Sequence, residues 1–392
     1  MRIGITCYPT YGGSGIVATE LGLELANRGH EVHFISYANP IRLDPGIPRI
    51  HYHEVEVSTY PLFQYPPYSL ALASRMAEVA EAYDLDLLHV HYAIPHSISA
   101  LLARQMLASR RSVPFITTLH GTDITLVGAD RSYLPITKFS IEQSDGVTSI
   151  SEYLKARTLE VFKVSSDIRV ITNFVNCEMY MPDPARRSQA RLAPEGEKVL
   201  IHLSNFRPVK RVFDCLRILA EVRRHVAAHL LMVGDGPDCA PAERLARELG
   251  LDQHVTFMGK QGHVERLLPL AHVLLLPSEL ESFGLAALEG MACGLPPVAT
   301  RVGGLPELVT HEVDGFLEPV GDVAAQAARV VSLLTDPALY QRLSAAARQT
   351  AQARFCSSLV IPRYEAYYRE ILGRVRLAGR GESRGAGSGA TS

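Results

Sequence analysis

At 392 residues the chain is long for one hydrophobic core, so two domains are expected. Its 39 Lys and Arg against 41 Asp and Glu leave a net charge of −2, which excludes a globally basic surface for nucleic acid or anionic membrane; any anion site must be local. No apolar run approaches membrane-spanning length, and Ile3 to Cys7 is too short and too soon followed by Pro9 to be a signal segment, so a soluble, cytoplasmic protein is expected. The cysteines at 7, 177, 215, 239, 293 and 356 show no ligand-like spacing, and reduced thiols are the expectation.

In chain order, short apolar runs alternate with amphipathic stretches in two successive blocks, the pattern of parallel sheets covered by helices. The fold class is therefore α/β, with two Rossmann-like domains. Strands of the first block are expected at Ile3 to Cys7, Val32 to Tyr37, Leu87 to Val90, Phe115 to Leu119 and Gly146 to Ile150, with Val170 and Ile171 at its end. Between the first two, Val17, Leu21 and Leu25 step by four and Gly29 closes a helix. The second block repeats the cadence at Val199 to Leu203, Leu230 to Val233, Val255 to Met258, Val273 to Leu276 and Val298 to Thr300. Periodicity breaks between Cys177 and Glu197, where Pro182, Pro184, Pro194 and Gly196 mark a boundary. The expected division is residues 1–178 as an N-terminal domain and 179–357 as a C-terminal one. A helix over 358–378, packing back toward the first domain, and a disordered Gly/Ser/Arg-rich tail over 379–392 complete it.

Three loops carry the chemistry. The first, Tyr8 to Gly15, follows the first strand with Gly12-Gly13-Ser14-Gly15; it is not GxGxxG, and alone it is equally a flexible turn. Its position, beyond the carboxyl end of a strand in a doubly wound sheet, is where ligands bind. The second, Ser204 to Arg211, puts Arg207, Lys210 and Arg211 at the corresponding strand end of the second block. Arg offers a planar fork and Lys a point charge, both suited to diphosphate oxygens, although a solvated basic turn has the same composition. The third, Glu281-Ser282-Phe283-Gly284-Leu285 leading to Glu289, sets two carboxylates around a helix start. Unpaired N–H groups at Phe283, Gly284 and Leu285 suit a phosphate. Carboxylates beside an anion make better sense as acceptors for sugar and ribose hydroxyls, the alternative being ordinary surface acids.

Other signals point elsewhere. Asp84-Leu85-Asp86 spells the DxD of metal-dependent transferases, but it precedes a strand at its amino end and reads as a turn. His89, His91 and His96 could ligate zinc; core or site-lining histidines fit them better. The arginines at 369, 374, 376, 380 and 384 lack the apolar face of an interfacial helix.

Taken jointly, the glycine loop, Thr118-Leu119-His120-Gly121-Thr122-Asp123, Asn173-Phe174-Val175-Asn176, the Arg207/Lys210 loop, Gly234-Asp235-Gly236-Pro237, Gly259-Lys260-Gln261, the Glu-x7-Glu segment and Gly303-Gly304-Leu305-Pro306-Glu307 resemble the retaining glycosyltransferases of GT-B fold, family 4 type. Further runs, Ile3 to Pro9, Phe63 to Tyr68, His89 to His96 and Ser204 to Arg207, resemble the branch of that family that joins N-acetylglucosamine to L-malate in bacillithiol synthesis. The resemblance spans residues 1 to 375. It implies UDP-GlcNAc and L-malate as substrates, no cofactor, no metal, no nucleic-acid or membrane partner, and a homodimer. It implies donor binding by Gly13, Ser14, Gly15, Arg207, Lys210, Gly259, Lys260, Gln261, Glu281, Ser282, Phe283, Gly284, Leu285 and Glu289. Glu281 would hold the sugar hydroxyls and Glu289 the ribose, with residues 259–261 beside the uracil. Catalysis would rest on Arg207, Lys210, Glu281 and His120, and malate would meet Ser14, Tyr92, Thr118 and Arg207 in a cleft between the domains. A lipid or glycan acceptor, or a non-catalytic nucleotide-sugar-binding protein, are the alternatives.

Overall fold

The computed structural model describes residues 1–10, 12–44, 46–58, 61–62, 64–125, 127–185 and 192–385, with side chains to residue 377. It forms two compact units: unit 1 is Met1–Ile171 together with the chain from Val360 onward, and unit 2 is Thr172–Leu359.

Unit 1 is built on a parallel sheet of β1 (Arg2–Thr6), β2 (Glu31–Ser36), β3 (Ile50–Glu54), β4 (Leu87–His91), β5 (Phe115–Leu119), β6 (Gly146–Ser149) and β7 (Ile168–Val170), in the order β3-β2-β1-β4-β5-β6-β7. The chain runs outward one way from β1 and then the other way from β4, so strand order reverses between these two neighbours. β3 has no counterpart among the expected strands. Its sequence, Ile50-His51-Tyr52-His53-Glu54, lacks an apolar run because it is an edge strand with one neighbour, paired to β2 in the register His33↔His51.

The C-terminal helix Ser357–Gly385 begins in unit 2 and supplies a wall of unit 1. Tyr364 and Tyr368 are fully buried, Tyr367 Oη accepts from Val147 N at 3.0 Å, and Glu365 Oε1 lies 2.8 Å from His30 Nε2. The helix continues through Gly385, beyond the expected start of disorder at residue 379. Once a helix is anchored by packing, each further residue adds a hydrogen bond at low cost, and Arg380, Glu382 and Arg384 are adequate helix formers. Residues 386–392 of the expected tail, and 186–191 of the expected linker, lie outside the described residues.

Unit 2 carries a second parallel sheet: β8 (Lys198–Ser204), β9 (Ala228–Gly234), β10 (Val255–Gly259), β11 (Val273–Leu276), β12 (Pro297–Thr300) and β13 (Phe316–Glu318), in the order β10-β9-β8-β11-β12-β13. Strand order reverses between β8 and β11. Leu200, Leu230, Leu275 and Val298 from the sheet meet Val212, Leu216 and Leu219 of the helix Val212–Val222 in one core. The short strand β13, like β3, has no counterpart among the expected strands, being three residues at a sheet edge. Cys177 and Cys356 form a disulfide, Cα to Cα 5.6 Å, which corrects the expectation of reduced thiols at these two positions. They are 179 residues apart and meet because Val175 and Cys356 form a backbone bridge, a pairing that no sequence spacing announces. The remaining four cysteines are free.

Candidate functional site

In each unit the residues of interest gather around the loops that leave the two strands flanking the reversal, where neighbouring loops diverge and leave room for a ligand, with further ones after β10 in unit 2 and after β5 in unit 1. In unit 2 these are the loops after β8 and β11. The first runs through Phe206, whose fully buried ring pins the loop to the core, into the 3-10 turn Pro208–Lys210. The second is tied to it by a backbone hydrogen bond from Glu279 N to Val209 O at 2.8 Å. Lys210 Nζ then donates to Glu281 Oε1 at 2.6 Å, and Ser278 Oγ donates to the same oxygen at 2.8 Å. The pair is partly open, with 21% of the Lys210 side chain and 11% of that of Glu281 exposed. Arg207 is exposed and, among the described residues, has no side-chain partner. Its charge is available to a ligand.

Gly284 caps the helix Leu285–Ala292 with φ 96°, and the N–H groups that open this helix have no intrahelical acceptor. Phe283 is buried against Phe355 at 5.7 Å between ring centroids, fixing the turn from beneath. The Gly303-Gly304 pair closes on the same loop: Gly304 N donates to Glu281 O at 2.9 Å, and a Cβ on Gly303, at φ 55°, would stand 1.8 Å from that oxygen. Only glycine fits there, which explains a motif that has no chemistry of its own. Glu289 is 4% exposed, and Tyr180 Oη donates to its Oε1 at 2.8 Å. It is a held acceptor rather than a surface acid. In the loop after β10, Gly259 has φ 63°, Lys260 pairs with Asp235 at 3.5 Å, and Gln261 Nε2 donates to Met258 O at 2.7 Å.

In unit 1 the loops follow β1 and β4. The helix Gly13–Asn27 starts at Gly13, so Gly13, Ser14 and Gly15 form its first turn, and a Cβ on Gly15 would stand 2.5 Å from Tyr8 O. Ser14 Oγ donates to Tyr92 Oη at 3.2 Å. The Tyr92 ring stacks on His120 at 5.6 Å between centroids, and His120 Nε2 shares a proton with His91 Nδ1 at 2.8 Å. Burial, with His96 nearby, pushes the His120 imidazole down to about 3, and His91 is also held well below its ordinary value by burial. Both rings are neutral at physiological pH. The Asp123 carboxylate accepts from Ala93 N, His120 N and Gly121 N at 3.0, 3.2 and 2.9 Å, so it fixes the backbone on both sides of His120.

Thr118, expected to meet malate, is the last residue but one of β5. It is fully buried, and its Oγ1 is bonded to His89 Nε2 at 2.7 Å and Thr148 Oγ1 at 2.6 Å. It stands near the carboxyl end of its strand, level with His91 of β4, and in the absence of a ligand these neighbours take up its hydroxyl. His89, in turn, is saturated by Thr118 and by Tyr368 Oη at 2.7 Å. Asp84 and Asp86 pair with Arg111 and with Arg2 N at the amino ends of the strands, as a turn should. Sequence reasoning passed over Tyr180, Ser278 and Asp123. Tyr180 sat in a segment read as linker. Ser278 carried a usable signal, a hydroxyl three residues before Glu281 at a strand end.

The family model for glycosyl transferases group 1 matches residues 185–350, and that for glycosyltransferase family 4 matches residues 11–179. N-acetyl-alpha-D-glucosaminyl L-malate synthase of Bacillus anthracis is 48% identical over 373 residues, 95% of this chain and 97% of that protein. The chain belongs to the group 1 and family 4 glycosyltransferases. Glycosyltransferase activity and the GT-B architecture go with that membership. A GDP-mannose-dependent alpha-(1-6)-phosphatidylinositol monomannoside mannosyltransferase of Mycolicibacterium smegmatis is 30% identical over 71% of this chain and 75% of its own. Among solved structures, a sucrose-phosphate synthase of Thermosynechococcus elongatus superposes with a TM-score of 0.76 at 26% identity, covering 95% of this chain and all, 100%, of that one. Among the described residues, no helix is long and apolar enough to cross a membrane.

Proposed function

We propose that this glycosyltransferase moves N-acetylglucosamine from UDP-GlcNAc to the hydroxyl of L-malate, with retention at the anomeric carbon and without a metal, as the first step of bacillithiol synthesis. The observation that carries the reading is the 48% identity, across nearly the whole chain, to a protein named for that product. The arrangement in unit 2 supports it. Lys210 and the unpaired Arg207 supply positive charge for a diphosphate, the helix start at Leu285 supplies N–H donors, and Glu281 and Glu289 supply acceptors on either side.

In this reading the malate hydroxyl oxygen forms the new bond to the anomeric carbon as the bond to the β-phosphate breaks. The hydroxyl proton passes to the departing phosphate oxygen, leaving UDP. Lys210 swaps its contact with Glu281 for the leaving group, and Glu281 turns its freed oxygen to a sugar hydroxyl. Rate enhancement then comes from positioning and from cations aimed at the charge that develops on UDP. Malate would meet Ser14 and Tyr92 in unit 1, whose hydroxyls already converge. The neutral His120 leaves its backbone carbonyl to face positive charge at the anomeric carbon.

Mass spectrometry of the purified protein with UDP-GlcNAc and L-malate, D-malate or no acceptor, in EDTA, tests donor, acceptor and metal independence together. Product only with L-malate is expected. Turnover that appears only with a lipid acceptor would favour the second reading, suggested by the phosphatidylinositol mannosyltransferase relative.

A further inference from the structure

The strand that sequence patterning missed brings together a set of ligating atoms outside the loops described above. Glu31 opens β2, His33 follows on the same face, and His51 lies directly across from His33 on the edge strand β3. Glu31 Oε1 is 3.1 Å from His51 Nε2 and 3.8 Å from His33 Nε2, and the three atoms lie within 4.8 Å of one another. His33 is fully buried, yet its Nε2 has no hydrogen-bond partner among the described residues. Its other nitrogen, Nδ1, is engaged by His53 Nε2 at 2.9 Å. One ring nitrogen fixed by a neighbour while the other points, unsatisfied, at a carboxylate is how a metal-ligating histidine is prepared.

The surroundings agree. Glu31 and His51 are 42% and 41% exposed, so an ion can enter from solvent at the sheet edge. The Tyr83 ring, 4.7 Å from that of His33, floors the site. The nearby Arg2 guanidinium is offset by Asp84 at 3.5 Å and by Tyr83 O at 3.1 Å. A superficially similar group in unit 2 fails this comparison. There Glu197 stands 3.6 Å from His229 and 3.5 Å from His254, but Arg223 Nη1 already sits 2.7 Å from the same carboxylate, filling the cation's place.

We propose that Glu31, His33 and His51 bind one borderline divalent transition-metal ion, of which Zn²⁺ best suits two imidazoles and a carboxylate, with water completing the shell. Tetrahedral zinc ligands stand about 3.3 Å apart, so the cluster must tighten by up to about 1.5 Å, and the His51 ring, stacked on that of His33 at 4.6 Å, must turn toward the ion; both movements fall to the half-exposed side chains of Glu31 and His51. The site is separate from transfer. Glu31 lies at the amino end of β2, five residues and about 16 Å along the strand from the carboxyl ends where the transfer loops begin. The ion would clip the edge strand β3 to β2 and stabilise unit 1 by mass action.

The test is a Zn²⁺ titration of tag-free, chelator-stripped full-length protein against a competing zinc indicator, with thermal unfolding at each zinc level. One ion per chain and a zinc-dependent rise in Tm are expected. His51→Ala and Glu31→Gln, both at half-exposed positions, should each weaken binding by about 10-fold or more and abolish the Tm rise. His254→Ala should change neither. Stoichiometry near zero, or binding in His51→Ala and Glu31→Gln equal to that of the parent, would overturn the assignment, as would loss in His254→Ala alone.

Discussion

Both sheets reverse strand order at one place, between β1 and β4 in unit 1 and between β8 and β11 in unit 2, and both set a hydrogen-bonded pair of side chains across that place. In unit 1 the pair is Ser14 and Tyr92, two neutral hydroxyls backed by the buried imidazoles of His91 and His120. In unit 2 it is Lys210 and Glu281, a partly solvated ion pair. The same topological slot thus carries opposite electrostatics. In unit 2 a fixed charge is kept where solvent and a carboxylate can stabilise it until an anion arrives, while in unit 1 a partly buried hydroxyl pair is backed by buried imidazoles that are neutral at physiological pH. The lesson is that fold supplies the slot, and local solvation decides which chemistry the slot tolerates.

The largest expected effect on this contrast is acid. His89, His96 and His120 are pushed by burial to about 3, 4 and 3, and His91 lies well below its ordinary value. Unfolded, each titrates near 6.5, so below that pH the unfolded chain binds protons that the folded unit refuses. Stability is full above about pH 6.5 and falls as pH drops toward 4, by up to about 1.4 kcal/mol per pH unit for each histidine. Unit 2 has His202, lowered by burial to about 4, and His229, lowered less. Hydrogen exchange corrected for intrinsic rate should show β4 and β5 opening at pH 5.5 before β8 and β11. Equal acid sensitivity in both sheets would break the contrast.

Next comes Lys210→Ala, which should lower turnover by about 10²–10³-fold while weakening UDP binding much less, read as kcat against KM. Turnover near that of the parent would remove the leaving-group role. Glu289→Ala should weaken UDP binding by roughly 10- to 100-fold by calorimetry, because a carboxylate that accepts from hydroxyls is lost. Tyr180→Phe should show a smaller loss in the same direction.

Thr118→Val sharpens the distinction between lining a site and supporting it. It takes one bond each from His89 Nε2 and Thr148 Oγ1, His89 keeping Tyr368, and should cost about 1–3 kcal/mol of unfolding free energy with kcat/KM for malate retained if Thr118 only supports the site. A raised malate KM at unchanged stability would make Thr118 the acceptor contact that the family resemblance implies. Smallest is Tyr92→Phe, for which a rise in malate KM of about 2- to 10-fold is expected, with donor KM unaffected.

The strands buried on both faces were legible because each is a continuous apolar run between turn residues, as at Val273 to Leu276. β3 was not, since an edge strand needs no apolar run, and its His-Tyr-His alternation resembles a loop until β2 is set beside it. The Glu281 to Glu289 segment announced itself through a strand end, a glycine turn and helical spacing, all local features. The partners of those acids did not. Tyr180 reaches Glu289 from 109 positions away, and Lys210 reaches Glu281 from 71.

The sequence alone determined what depends on neighbours in the chain: two blocks of alternating strand and helix, the glycine-bearing turns, and which loops leave the carboxyl ends of strands. Tertiary structure decided what depends on solvation and on distant partners. It made Glu289 a held acceptor instead of a surface acid, gave the Thr118 hydroxyl His89 and Thr148 as partners, and made Cys177 a half-cystine with Cys356. A side chain's role is set by how much water it keeps and which groups satisfy it, and neither is fixed until segments far apart in sequence pack together.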